Sequence, residues 1–333
     1  MGLVTLNRPG ALNALTQAMC ETYERRLADW AGDEAVRAVL IKGAGERAFC
    51  AGGDVRAIWE SGKAGGPLTA TFFRAEYRMN RCLKVFPKPH IALLDGVTMG
   101  GGVGISIHGS HRIASERTLF AMPETGIGLF PDVGATHVLP RLAGGLGPYL
   151  GLTGARLKAA DACYSGIATQ FVPAERLAEL EQALVGDPDI DRVLAGFTAD
   201  PGPAPLAEHR AVIDRCFTQE TLEGVLEALA KEPGAWAAET LKLLETRCSP
   251  TSLRVTFEAL RRGAGLDFDA AMVMEYRLSQ ACMAGHDFYE GIRALIIDKD
   301  KAPAWKPASL AGVTDDIVEA HFAPLGTRDL TFD

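Results

Sequence analysis

The chain has 333 residues, 47% of them hydrophobic, enough for a large core in one big domain or in one domain with a smaller companion. A formal net charge of −8 and an isoelectric point near 5.5 argue against a nucleic-acid surface, and no apolar run reaches the ~18 residues of a membrane span. Seven cysteines, odd in number and scattered without a C-x-x-C pair, read as small buried hydrophobes of a reducing compartment.

The opening MGLVTLNRPGALNAL lacks the charged, apolar and small-residue regions of a signal peptide and is no Arg/Ser-rich transit peptide. A cytoplasmic location is therefore expected. Val4-Thr5-Leu6 alternates as a strand does, and a domain that opens in mid-strand implies residues missing before Met1. After Asn7-Arg8-Pro9, Thr16 is placed to cap a helix reaching about Trp30. The apolar run 38–42 reads as a buried strand ended by Gly43-Ala44-Gly45. Next, Ala51-Gly52-Gly53-Asp54 forms a glycine junction at which Asp54 caps a helix through Trp59. Residues 61–67 read as an exposed connection, and residues 68–85 as a helix carrying Glu76 among Phe72, Phe73, Tyr77 and Met79.

The same plan then repeats. The strand Ile91–Leu94 runs through Asp95-Gly96 into Gly100-Gly101-Gly102 and a helix of small residues. Three glycines at a strand-to-helix junction predict unusual backbone angles or close approach by another group. They also suit an N–H placed to stabilise negative charge, although a tight turn under a packed helix has the same composition. Each repeat offers one such donor, Gly53 in the first and Gly101 in the second, and two donors converging on one oxygen make an oxyanion hole. Further on, two carboxylates stand in Gly/Pro-framed stretches: Glu124 in Met122-Pro123-Glu124-Thr125-Gly126 and Asp132 in Phe130-Pro131-Asp132-Val133-Gly134. On pattern alone Asp132 also suits a helix cap.

Residues 186–205, with Asp187-Pro188, Asp200-Pro201 and Pro203, read as a boundary or linker. Beyond it, residues 222–230 and 236–244 have amphipathic helical patterns, Ser249 is placed to cap a helix to Arg262, and residues 270–283 form one more. G-x-G-x-x-G, Walker A, G-x-S-x-G and H-E-x-x-H motifs are absent. His108 and His111 have no acidic or cysteine partner in a metal-binding pattern and are expected to be structural.

Taken together, Leu6-Asn7-Arg8-Pro9, the run from Ala48 to Asp54, the run from Met99 to Gly104, and Met122-Pro123-Glu124 resemble the enoyl-CoA hydratase/isomerase, or crotonase, superfamily. The runs Phe120–Thr125, Gly128–Gly134, Ser249–Leu253, Asp287–Gly291 and Ile297–Asp300 resemble its 3-hydroxyisobutyryl-CoA hydrolase branch, so the likeness runs nearly end to end. The resemblance implies an α/β fold, a crotonase-like spiral of ββα turns over residues 1–190. Residues 191–333 would be a helical C-terminal region that completes the site or makes oligomer contacts. In this reading the Gly53 and Gly101 N–H groups polarise a thioester carbonyl, while Glu124, Asp132 and Glu76 line the acyl end of the site. Hydratases resembling this chain carry a glutamate three residues after the middle glycine, where it has Gly104, so hydratase chemistry is disfavoured.

The implied activity is hydrolysis of an acyl-CoA thioester, most specifically 3-hydroxyisobutyryl-CoA in valine breakdown, with 3-hydroxypropionyl-CoA as a second substrate. Glu124 would either activate a water or attack directly, and Asp132 would orient the water or the substrate hydroxyl and raise the pKa of Glu124 by repulsion. Ala51, Asp54 and Arg56 would flank the carrier, with Arg56 at a phosphate. Coenzyme A enters as part of the substrate, with no metal or redox cofactor implied. Trimers or paired trimers are the implied assemblies, and neither nucleic acid nor membrane is an expected partner. The rivals are an enoyl-CoA hydratase or isomerase and a noncatalytic acyl-CoA-binding subunit.

Overall fold

A computed structural model describes residues 1–332. Eight short strands form in chain order: β1 (Gly2–Leu6), β2 (Val39–Gly43), β3 (Ala48–Cys50), β4 (His90–Leu94), β5 (Val97–Met99), β6 (His111–Ala114), β7 (Leu119–Ala121) and β8 (Gln170–Phe171). They build two wholly parallel sheets, one of five strands in the order β1-β2-β4-β6-β8 and one of three in the order β3-β5-β7. The alternation explains the repeat seen in the sequence. Each of the pairs β2/β3, β4/β5 and β6/β7 gives its first strand to the larger sheet and its second to the smaller. Parallel neighbours need a crossover, and helices such as Gln17–Gly32 between β1 and β2 supply it.

By contacts the chain divides into two compact units: one of Met1–Gly53, Arg78–Ala121 and Arg156–Glu208, the other of Asp54–Tyr77, Met122–Ala155 and His209–Asp333. All eight strands belong to the first unit. Because parallel strands are covered on their faces, β2 and β4 are near-continuous apolar runs rather than alternating ones. Leu40, Ile91, Leu93 and Ile113 pack against Leu180, Leu184, Ile190, Val193, Leu194 and Phe197 of the helices Leu177–Gly186 and Ile190–Phe197. Those helices cover one sheet face.

The second unit is mostly helical. Among its helices, Pro250–Gly263 is capped by Ser249, whose Oγ accepts from Ser252 N at 3.0 Å, and Phe268–Ala284 is capped by Asp267. Among the described residues, no helix is long and apolar enough to cross a membrane.

Three local expectations need correction. The 186–205 stretch is not a plain linker, because Asp189 caps the Ile190–Phe197 helix, accepting from Arg192 N at 3.1 Å, and its apolar face joins the core. The helix begun at Asp54 passes Trp59 and ends at Lys63. The small-residue helix after the three glycines is only four residues long, Gly101–Gly104, and continues as turns. Glycine's backbone entropy gives such a segment little helical persistence.

Candidate active site

In the first unit, the two glycine turns lie side by side. Ala51 N–H donates to Leu12 O at 3.0 Å and Leu15 N–H to Gly52 O at 2.8 Å, which pins the Ala51–Gly53 turn to the chain after Pro9. Ala51 therefore has no free N–H to offer a ligand. Gly53 makes a parallel bridge with Leu15, and among the described residues no backbone carbonyl takes its N–H. On the other turn, Gly100 has φ 48° and ψ −123°, a conformation open essentially to glycine alone. Gly101 is the first residue of the four-residue helix, so its N–H has no intrahelical acceptor. A Cβ built on Gly52 would lie 3.8 Å from Gly101 N, which measures how closely the two turns approach.

In the second unit, Asp54 caps the helix Val55–Lys63, accepting from Ala57 N at 3.3 Å. Arg56 is exposed and donates to Ile296 O at 3.1 Å.

The same unit buries a cluster of acids: Glu76 (2% exposed), Glu124 (3%), Asp132 (4%) and Glu275 (0%), with Tyr77 (0%) among them. Burying several carboxyl groups together is costly wherever they carry charge, and such clusters are candidates for functional sites. Glu124 opens a tight helical turn, Glu124–Ile127, held because Leu129 N–H returns to Glu124 O at 3.0 Å and Ser249 N–H reaches Thr125 O at 2.9 Å. Its Oε2 is buried without a hydrogen-bond partner, as is Oε1 of Glu76. Burial first, and then the neighbouring Asp132, push the Glu124 carboxyl well above the usual carboxylate range. Burial, with Asp132, Glu124 and Glu275 close by, does the same to Glu76. Asp132 accepts the Tyr77 hydroxyl on Oδ2 at 2.7 Å. Burial raises its pKa to about 6, against the downward pull of that bond.

Asp132 does not cap a helix. The short helix Ala135–Val138 begins after Gly134, with no side-chain cap. Of the histidines, His111 is tied to Ser110 Oγ at 2.8 Å and Asp191 Oδ1 at 3.1 Å, both structural contacts of the first unit.

Reading the sequence missed two members of the cluster. Glu275 accepts from Gly134 N (2.7 Å), Thr136 N (2.9 Å) and the Thr136 hydroxyl (2.6 Å). A signal existed, since Glu275 is a lone acid in the apolar stretch Ala270–Tyr276. Tyr77 was passed over as one more aromatic beside Glu76, and only its contact with Asp132 reveals it.

Parallel strand pairs distributed over two sheets, adjoining glycine turns and an acid cluster define a crotonase-fold enzyme. The chain belongs to the enoyl-CoA hydratase/isomerase family, whose model matches residues 1–322. It is 49% identical over 339 residues to a mitochondrial 3-hydroxyisobutyryl-CoA hydrolase of Danio rerio, covering 99% of this chain and 88% of that protein. It is 47% identical over 341 residues to the human protein of the same name, with the same coverage. Among solved structures it resembles a carnitinyl-CoA dehydratase from Mycobacterium thermoresistibile (TM-score 0.94, 44% identity) and an enoyl-CoA hydratase from Rhodobacter sphaeroides (TM-score 0.92, 43% identity). Each comparison covers 99% of this chain and 96% of the other. These relatives correct one expectation. The cytoplasmic location, argued from the opening residues, conflicts with hydrolases named as mitochondrial. A targeting segment is a separable leader, so the residues that begin a folded domain carry no information about compartment.

Proposed function

We propose that the protein hydrolyses an acyl-CoA thioester, 3-hydroxyisobutyryl-CoA first among substrates, to the free hydroxy acid and coenzyme A, a step of valine breakdown. The observation that carries this reading is the buried, unpartnered Oε2 of Glu124 beside a second carboxylate, Asp132. The hydrolases that match the chain at 47–50% identity support it.

In this reading the N–H groups of Gly53 and Gly101 take up the charge that develops on the thioester oxygen, and each such donor is typically worth ~10²–10³ in rate. Glu124 acts through its unpartnered oxygen. Asp132, oriented by Tyr77, holds the water or the substrate hydroxyl, and Glu76 lines the acyl end. Coenzyme A arrives as part of the substrate.

A second reading, hydration of an enoyl-CoA, has support from the names of the two solved structures quoted above. Gly104 opposes it, standing where the resembling hydratases carry a glutamate. One assay separates the two. Free thiol released from 3-hydroxyisobutyryl-CoA and lost on Glu124→Gln by ~10³-fold or more supports the hydrolase. Loss of the crotonyl-CoA double bond without thiol release replaces it with the hydratase. A single turnover in H₂¹⁸O then tests covalent catalysis. Label in Glu124 shows an anhydride opened at the enzyme carboxyl, whereas label in the product alone shows only that water attacked the acyl carbonyl.

A further inference from the structure

The segment that follows Asp132 is under strain. Val133, β-branched and fully buried, has φ 55°, and Gly134 has φ 88°. A valine in the left-handed region is strained and persists only where its surroundings impose it. The imposing contact is visible on the far side of the turn. Glu275, projecting from the middle of the Phe268–Ala284 helix, spends both carboxylate oxygens on this segment alone, Oε2 on Gly134 N and Oε1 on Thr136 N and Oγ1. A second helix closes in where Gly263 packs, since a Cβ there would stand 2.1 Å from Thr136 O. The turn is therefore gripped from the helices at both Gly134 and Thr136.

We infer that Glu275 is a positioning residue for Asp132: by clamping the Val133–Gly134 turn, it fixes the direction in which the Asp132 carboxylate points. The inference rests on the thioester-hydrolase reading. It gives residues of the C-terminal region a defined part in the reaction without contact with substrate. An acid serves here because both oxygens can accept, so one side chain satisfies three donors converging on a single turn. Glutamine in the same place keeps one acceptor and sets an N–H₂ against a backbone N–H. The adjacent Tyr276 ring stands edge-on to Tyr77, 6.4 Å between centroids, so the same helix also seats the tyrosine that donates to Asp132.

The test compares wild type, Glu275→Gln and the milder Thr136→Val, which removes only the hydroxyl donor. Steady-state turnover of 3-hydroxyisobutyryl-CoA and crystal structures are read for each. A carboxylate displaced by ~1 Å costs up to ~10²-fold in rate, so Glu275→Gln is expected to lower kcat by ~30–100-fold and Thr136→Val by ~3–10-fold, with KM held within ~3-fold. The Asp132–Tyr77 contact is expected to lengthen from 2.7 Å in step with the loss. A folded Glu275→Gln enzyme with kcat within ~3-fold of wild type overturns the inference. So does an unmoved Asp132. Should Glu275→Gln fail to fold, Thr136→Val decides by the same two readings. If wild type releases no thiol, the hydrolase reading falls on that result, and the crystal structures alone judge whether Glu275 holds Asp132 in place.

Discussion

Asp132 is a carboxylate under opposing forces. Burial lifts its pKa to about 6, and the Tyr77 hydroxyl, 2.7 Å away, pulls the other way. Removing the hydroxyl leaves burial opposed only by the weaker backbone hydrogen bond of Asp132. Tyr77→Phe is therefore expected to move the acid limb of the kcat/KM profile toward higher pH, lowering activity several-fold near pH 6 and recovering much of it by about pH 8. A pH–rate profile of the two enzymes checks this, and an unshifted limb would mean that Asp132 does not titrate in the reaction. The pair also shows where a sequence stops being readable. Glu124 and Asp132 are legible because proline and glycine frame them and because they fall in motifs. Tyr77 and Glu275 lie 55 and 139 or more residues from the atoms they bond, a separation that no local pattern encodes.

The glycine turns are the element whose conformation is specified most tightly. Gly100, with φ 48° and ψ −123°, has no L-residue equivalent. Gly100→Ala is expected to cost on the order of 1–3 kcal/mol and to lower kcat more than it raises KM, because the Gly101 N–H is re-aimed. Melting temperature and steady-state kinetics on one preparation test both halves of the claim. Unchanged stability would show that the backbone relaxes freely. Caps were as readable as these glycines: Thr16, Asp54 and Ser249 each accept the backbone N–H expected of a helix start. The Ile190–Phe197 helix was not readable. Asp187-Pro188 signals a break, and the apolar face that makes the segment helical has meaning only against Leu40, Leu93 and Ile113, strands far away in sequence. The division into strands of two sheets was hidden for the same reason, since a buried parallel strand carries no alternation to say which sheet it joins.

On the scale of the whole molecule, the acid cluster gives stability a dependence on pH whose sign differs from that of the surface. Ion pairs such as the half-buried Arg277–Asp329 and Arg215–Glu232 hold their carboxylates below the ordinary values. What they contribute is complete once pH exceeds ~4.5 and is lost only in acid. His90, buried and pushed down to about 3, favours folding increasingly as pH rises toward the ordinary histidine value of 6.5 and adds nothing further above it. The cluster acts in reverse. Burial raises Glu275 from 4.5 to about 8 against the pull of Thr136 and Gly134, with the Asp132 charge adding to the rise. The stability its proton supplies is full below pH 4.5 and disappears as pH passes through 8. Glu76 and Glu124, also raised by burial and neighbouring carboxylates, act with the same sign. Between about pH 6.5 and 8.5 the histidine and surface contributions are nearly level, so the melting temperature of the wild type is expected to drop by roughly 5 °C. Glu275→Gln has no proton to lose at that position, so its curve should be flatter and its gap to the wild type should narrow toward pH 8.5. Thermal scans of both proteins across that window test the point. Parallel curves would mean that Glu275 is ionised throughout, its charge held by the three donors of Gly134 and Thr136 more strongly than burial opposes it.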